Sequence, residues 1–169
     1  DKYFNFVGFD KAYKGKNKKI FKRYINLKDK QKVDVVILRH VLEHIKKPHL
    51  FLSHLKRIFA KTKIYLEVPC FDWIIKNNAF FDLTYEHVNY FNKKSLISLF
   101  DNKFDNFGKC FGGQYQYIIT DLNNLSEKFT KSYNSKKWHK LNLDKLFPKF
   151  KKKILEIEKI SKKKIEFLF

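Results

Sequence analysis

The stretch from Val33 to Val68 limits the possible folds more than any other part of this chain. Val33–Leu38 (VDVVIL) carries four consecutive apolar residues. Such a run predicts a strand buried on both faces, the habit of a parallel sheet. Pro48 suits the first turn of a helix, where its missing N–H leaves nothing unpaired. Phe51, Leu52, Leu55, Ile58 and Phe59 then fall at i, i+1, i+4, i+7 and i+8, one apolar stripe. Ile64–Val68 (IYLEV) reads as a second strand, stopped by Pro69. Strand, amphipathic helix and strand together make a βαβ unit.

The flanking segments extend this layer. Tyr3–Phe9 predicts an aromatic-rich strand ending at Gly8-Phe9-Asp10, and Ile20–Ile25 a weaker one. The region 71–81 is expected to be helical or irregular. Lys94–Phe100 predicts a short helix capped by Asn92 or Ser95. Phe104–Phe111 and Gln114–Asp121 predict an antiparallel pair around Gly112-Gly113. Residues 123–140 read as a polar linker, and Phe147–Lys164 as one basic helix with Pro148 in its first turn. The expected fold class is α/β, with an antiparallel edge hairpin and then a C-terminal helix.

Length and charge bound the function. The 169 residues suit one domain with an appendage, and the formal net charge is +20. The bases are almost all lysine, since only Arg23, Arg39 and Arg57 are arginine. Lys, Asn, Ile and Phe share A/T-rich codons, so base composition alone can raise them together. Nucleic-acid readers favour arginine forks, which argues against that role. A lysine-rich nucleic-acid-binding module in 131–164 stays as an alternative. No apolar run is long enough to span a membrane, and no leader opens the chain. Cys70 and Cys110 cannot form a disulfide framework, so a cytoplasmic setting is expected. The chain has no Met and opens in strand-like sequence. It reads as a piece of a longer protein, cut at both ends.

Three places can carry chemistry. Asp10 ends the first expected strand, where an acid can accept both hydroxyl protons of a ribose or simply cap a turn. Arg39 and His40 follow VDVVIL directly, at the strand end that lines a ligand crevice in α/β sheets. The same segment contains His40-Val41-Leu42-Glu43-His44, an inverted zincin spacing, so a zinc hydrolase is the rival enzyme reading. Its context is poor, because Pro48 leaves barely two helical turns. No residue is assigned to a metal. Thr84-Tyr85-Glu86-His87-Val88-Asn89-Tyr90-Phe91 is the densest polar cluster. In it His87 can serve as a base, or the loop can be merely anchored by Tyr90 and Phe91. There is no Gly-x-Ser-x-Gly and no Walker loop.

The order of these motifs resembles the class I S-adenosylmethionine-dependent methyltransferases over residues 4–122. "VGFDKAY" is similar to their second strand and ribose acid, "VDVVILRHVLEHIKKPHLFL" to their fourth strand and helix, and "KIYLEVP" to their fifth strand. "FFDLTYEHVNYFNKKSL" and "FGGQYQYII" resemble the sugar C-methyltransferase-like branch. The resemblance implies a partial Rossmann-like methyltransferase sheet in 1–122. It also implies a lysine-rich helical linker in 123–169, leading to a carboxyl-terminal domain that the chain does not include. It implies S-adenosylmethionine as cofactor, contacted by Asp10, Arg39 and His40, and a nucleotide-linked sugar or related glycan precursor as substrate. The branch's active-loop pattern, Tyr-His-Glu-His-x-x-Tyr, is matched by Glu86, His87 and Tyr90, while Thr84 and Tyr85 depart from it. His87 would remove a proton, Glu86 would polarise it, and Tyr90 would line the substrate site. The family's first strand would lie between the strands ending at Asp10 and Leu38, followed by a glycine-rich loop. Without them, this piece alone is expected to bind cofactor poorly and turn over nothing. The oligomeric state is left open.

Overall fold

The computed structural model describes residues 4–128, together with Lys145, Phe147, Pro148, Lys152, Leu155, Glu156 and 158–160. The chain is of mixed α/β construction. In order it forms β1 (Gly8–Phe9), β2 (Ile20–Phe21), β3 (Val35–Arg39), α1 (Pro48–Phe59), β4 (Lys63–Pro69), α2 (Phe71–Lys76), α3 (Lys93–Ser98), β5 (Asn106–Cys110) and β6 (Tyr115–Asp121). β1 and β2 form a two-stranded parallel sheet. The other four form a sheet in the order β3-β4-β6-β5.

β3 and β4 are parallel, with Leu38 opposite Leu66 and Arg39 opposite Glu67. α1 is the crossover, starting on Pro48 as expected. β6 then runs antiparallel to both β4 and β5, so the hairpin closes the sheet with β5 at the edge. The turn between them holds Gly112 at φ +63° and Gly113 at φ +94°, where a side chain would be strained. α3 begins at Asn92, whose side chain accepts from Ser95 N–H while Ser95 Oγ receives the N–H of Asn92. Both candidate caps therefore act as one capping box.

One core holds the layers together. Ile64, Leu66 and Val68 of β4 and Ile118 of β6 face Leu52 and Leu55 of α1, Leu96 of α3, and Leu99 and Phe100 beyond it. Ile74, Ala79 and Phe147 form a second, smaller cluster beside Trp73, Leu83 and Tyr90.

Several expectations need correction. β3 is not buried on both faces. Leu38 and the half-buried Val36 face the core, but Val35 and Ile37 point the other way and are 44% and 61% exposed. Among the described residues, no strand pairs with the outer edge of β3. The strand expected over 3–9 contracts to Gly8–Phe9, with Tyr3 outside the described residues. The one expected over 20–25 stops at Phe21, because the chain then turns to close a capping box between Asn26 and Asp29. Arg23 grips Asp29 through Nη1 at 2.7 Å, and its guanidinium lies over the stacked rings of Phe9 and Phe21. The linker from 129 onward and most of the helix expected over 147–164 lie outside the described residues. Of that stretch, Lys152, Leu155, Glu156 and 158–160 are helical. Among the described residues, no helix is long and apolar enough to cross a membrane.

Candidate functional site

The parallel pairing of β3 and β4 brings their carboxyl ends side by side. Side chains alternate along a strand. With Ile64, Leu66 and Val68 committed to the core, Tyr65 and Glu67 face the opposite side, together with Ile37 and Arg39 of β3. Register then sets Glu67 opposite both Arg39 and Tyr117.

Glu67 is only 3% exposed and collects donors from four directions. Its Oε1 accepts from Arg39 Nε at 3.1 Å and from His40 Nε2 at 2.9 Å. Its Oε2 accepts from Tyr65 Oη at 2.6 Å and from the Cys110 thiol at 3.7 Å. Burial raises its pKa, but the bonds from Tyr65, His40 and Arg39 outweigh this and hold the carboxyl below its ordinary range. An ionised carboxylate only accepts, so His40 carries its proton on Nε2. Burial first, and then the bond to Glu67, push the Tyr65 phenol well above its usual value. His40 itself sits at φ +54°, a conformation L-residues seldom adopt. Its backbone N–H bonds to Glu67 O at 3.1 Å, and its ring lies 4.4 Å from that of Tyr115. Backbone, carboxylate and ring together hold the strained residue in place.

The segment after His40 is not a zincin helix. His40 is left-handed, and only Leu42–His44 make a tight helical turn, so His40 and His44 share no helical face. This turn instead anchors the loop of residues 84–90. Glu43 O accepts from Val88 N at 2.9 Å and Asn89 N at 3.1 Å, and Asn89 Nδ2 donates to Ile45 O at 2.7 Å. His44 Nδ1 meets Glu86 O at 3.0 Å. The loop thereby lays the His87 ring 4.9 Å from that of His44 and 6.0 Å from that of Tyr90.

The candidate residues therefore fall into two groups and an outlier. Arg39 and His40 converge on Glu67. His87 and Tyr90 share the 84–90 loop, with Tyr90 Oη donating to Thr84 O at 3.2 Å. Burial raises the Tyr90 phenol. Glu86 is exposed and uses its backbone carbonyl. The acid that approaches His87 is Glu43, which is 1% exposed. Burial raises its pKa, opposed by nearby His44, His87 and His40. Asp10 stands at the carboxyl end of β1 as expected, exposed, with Oδ1 taking the N–H of Ala12 at 2.8 Å. A separate shallow pocket along α1, lined by His49, Ser53, Arg57 and Ser126, contains none of these residues.

Sequence reasoning missed Glu67, and it read Glu43 only as the base of a zincin spacing, not as the acid beside His87. A charged residue inside the apolar run IYLEV was the available signal for Glu67, since an acid buried in a sheet needs partners.

A family model described as a methyltransferase domain matches residues 1–103, from the start of the chain past α3. The chain belongs to this methyltransferase domain family. It is thereby a methyltransferase enzyme domain, of a family that typically uses S-adenosylmethionine as its donor. No curated protein matches it. The matched part of this methyltransferase domain holds the ends of β1, β3 and β4 and the whole 84–90 loop. The hairpin that supplies Cys110, Tyr115 and Tyr117 lies beyond it. The donor set suits the nucleoside half of such a cofactor. Asp10 spends one carboxylate lone pair on Ala12 and, being exposed, retains acceptor capacity for ribose hydroxyls.

Proposed function

We propose that this domain transfers a methyl group from S-adenosylmethionine to a nucleotide-linked sugar or a related glycan precursor. The observation that carries the reading is the docking of the 84–90 loop on the turn after β3, through Glu43 O to Val88 and Asn89. It puts the His87 imidazole and the Tyr90 phenol beside the end of β3 in a methyltransferase domain.

The bound donor supplies an electrophilic methyl group on a sulfonium sulfur. In this reading Asp10 accepts the ribose hydroxyls, and Arg39 and His40 flank the donor from the end of β3. His87 takes the acceptor's proton, from a hydroxyl or from carbon beside a carbonyl. Glu86 and Tyr90 line the acceptor side. In-line methyl transfer depends heavily on alignment, and the hydrogen bonds that fix the loop would provide it. The EHVNYF and GGQY segments favour a sugar acceptor by their resemblance to that branch.

The test supplies the complete protein that carries this domain with methyl-labelled S-adenosylmethionine and a panel of nucleotide-linked keto- and deoxysugars. Label in a sugar product, reduced about 10²–10⁴-fold by His87→Ala without loss of donor affinity, supports the reading. Label found only in a protein, nucleic acid or lipid acceptor overturns the sugar assignment. Undiminished turnover in His87→Ala removes His87 from the chemistry.

A further inference from the structure

Beside the strand-end carboxylate lies a second cluster with a different composition. One ligand atom each from Glu43, His44 and His87 lie within 4.8 Å of one another. Two features of this trio have no explanation among the described residues. Among the described residues, Glu43 Oε2 is fully buried and has no hydrogen-bond partner, and the same holds for His87 Nδ1. An unpaired buried carboxylate oxygen is costly, because nothing replaces the hydration it lost on burial. Two orphans on residues whose ligand atoms lie within 4.8 Å of one another point to a shared missing partner.

His44 is arranged for the same partner. Its Nδ1 faces the backbone carbonyl of Glu86 at 3.0 Å. A carbonyl can only accept, so Nδ1 carries the proton and Nε2 is left with a bare lone pair. This is the outer-shell hydrogen bond that metal-bound histidines commonly make, and it fixes tautomer and ring direction together. The second histidine arrives from far away in sequence, carried by the loop that Glu43's own carbonyl holds in place.

We propose that Glu43, His44 and His87 form a binding site for one divalent cation of the zinc class. Two imidazoles and a carboxylate suit such borderline ions and leave at least one coordination position open. Bonds of about 2.0–2.2 Å place ligand atoms roughly 3–3.5 Å apart. The trio must therefore tighten by about an ångström, a movement within reach of side-chain rotation. The ligand set differs from the His40 and His44 pair read from HVLEH, because His40 is held by Glu67. Metal binding is read without methyl donor or acceptor, so it stands or falls separately from the sugar methylation. The two meet at His87: a metal-bound ring nitrogen cannot also take a proton, so added zinc should inhibit transfer wherever His87 is the base.

The experiment uses untagged protein stripped with chelator and titrated with Co²⁺, followed by its visible absorption, then with Zn²⁺ as competitor. The expected result is one equivalent of Co²⁺ with nitrogen-ligand bands, displaced by Zn²⁺ and not by Mg²⁺. His44→Ala and His87→Ala should each weaken uptake at least about tenfold. His54→Ala, outside the cluster, should leave it unchanged. His44 is exposed, so its variant decides the matter if His87→Ala or Glu43→Gln fails to fold. Absence of stoichiometric uptake by the wild type, or uptake unaltered in His44→Ala, overturns the proposal.

Discussion

His40 donates from Nε2 to Glu67 Oε1 across 2.9 Å, joining the ends of two neighbouring parallel strands through side chains as well as backbone. The same carboxylate holds Arg39, Tyr65 and Cys110. Replacing it removes the acceptor for all four at once.

Glu67→Gln should therefore destabilise the domain by about 1–3 kcal/mol, since an amide cannot accept from every donor that a carboxylate serves. Urea unfolding, read by tryptophan fluorescence, measures this. A loss under about 0.5 kcal/mol would mean that water replaces the carboxylate.

The same residue sets a pH dependence. Its folded pKa is depressed, so the native state binds fewer protons than the unfolded one as acid is added. The stability it contributes is present above the ordinary glutamate pKa of about 4.3 and is lost as pH falls through the folded value. Unfolding free energy should decline on acidification below about pH 4.5, and Glu67→Gln should flatten that slope. Parallel slopes in the two proteins would assign the acid sensitivity elsewhere.

Gly108 faces Tyr117 across the hairpin, and a Cβ there would come within 2.5 Å of the tyrosine ring. That ring in turn stacks on Tyr65 at 5.4 Å. Gly108→Val should displace Tyr117, disturb Tyr65 and cost roughly 1–3 kcal/mol. Near-ultraviolet circular dichroism of the tyrosines should change with it. An unchanged tyrosine signal and an unchanged midpoint would count against this packing.

Ile37 presents an apolar side chain from a strand whose outer edge is unpaired among the described residues. Flat apolar edges invite pairing with other chains. Ile37→Lys should lower concentration-dependent light scattering while altering stability by no more than about 0.5 kcal/mol. Unaltered scattering would place self-association on another surface.

Asp10 is exposed, and among the described residues its side chain ties only its own turn. If it holds the donor's ribose, Asp10→Asn should weaken S-adenosylhomocysteine binding about 10–100-fold, the worth of a charge-assisted hydrogen bond. Titration calorimetry of the complete protein reads this directly. Equal affinity in the variant would leave Asp10 as a turn cap.

Local features of this protein could be read from sequence because their causes are local. Pro48 and the 51–59 stripe fix where α1 starts and which side it buries. Asn92 and Ser95, three residues apart, close their capping box within one turn. Gly112-Gly113 supplies the positive φ that the hairpin needs. The motif order identified the methyltransferase class. The sequence did not reveal that VDVVIL is half exposed, since an apolar run specifies strand character but not what covers each face.

The site divides along the same line. The amino-acid order by itself determined that Arg39 and His40 end one strand, that His87 and Tyr90 share a loop, and that Asp10 ends another strand. Tertiary structure alone decided that Glu67 receives Arg39 and His40, and that Glu43 rather than Glu86 approaches His87. Those partners lie 27 to 44 positions apart. Periodicity says which side of an element a residue occupies. Only strand register and the folding back of the 84–90 loop say what stands opposite it.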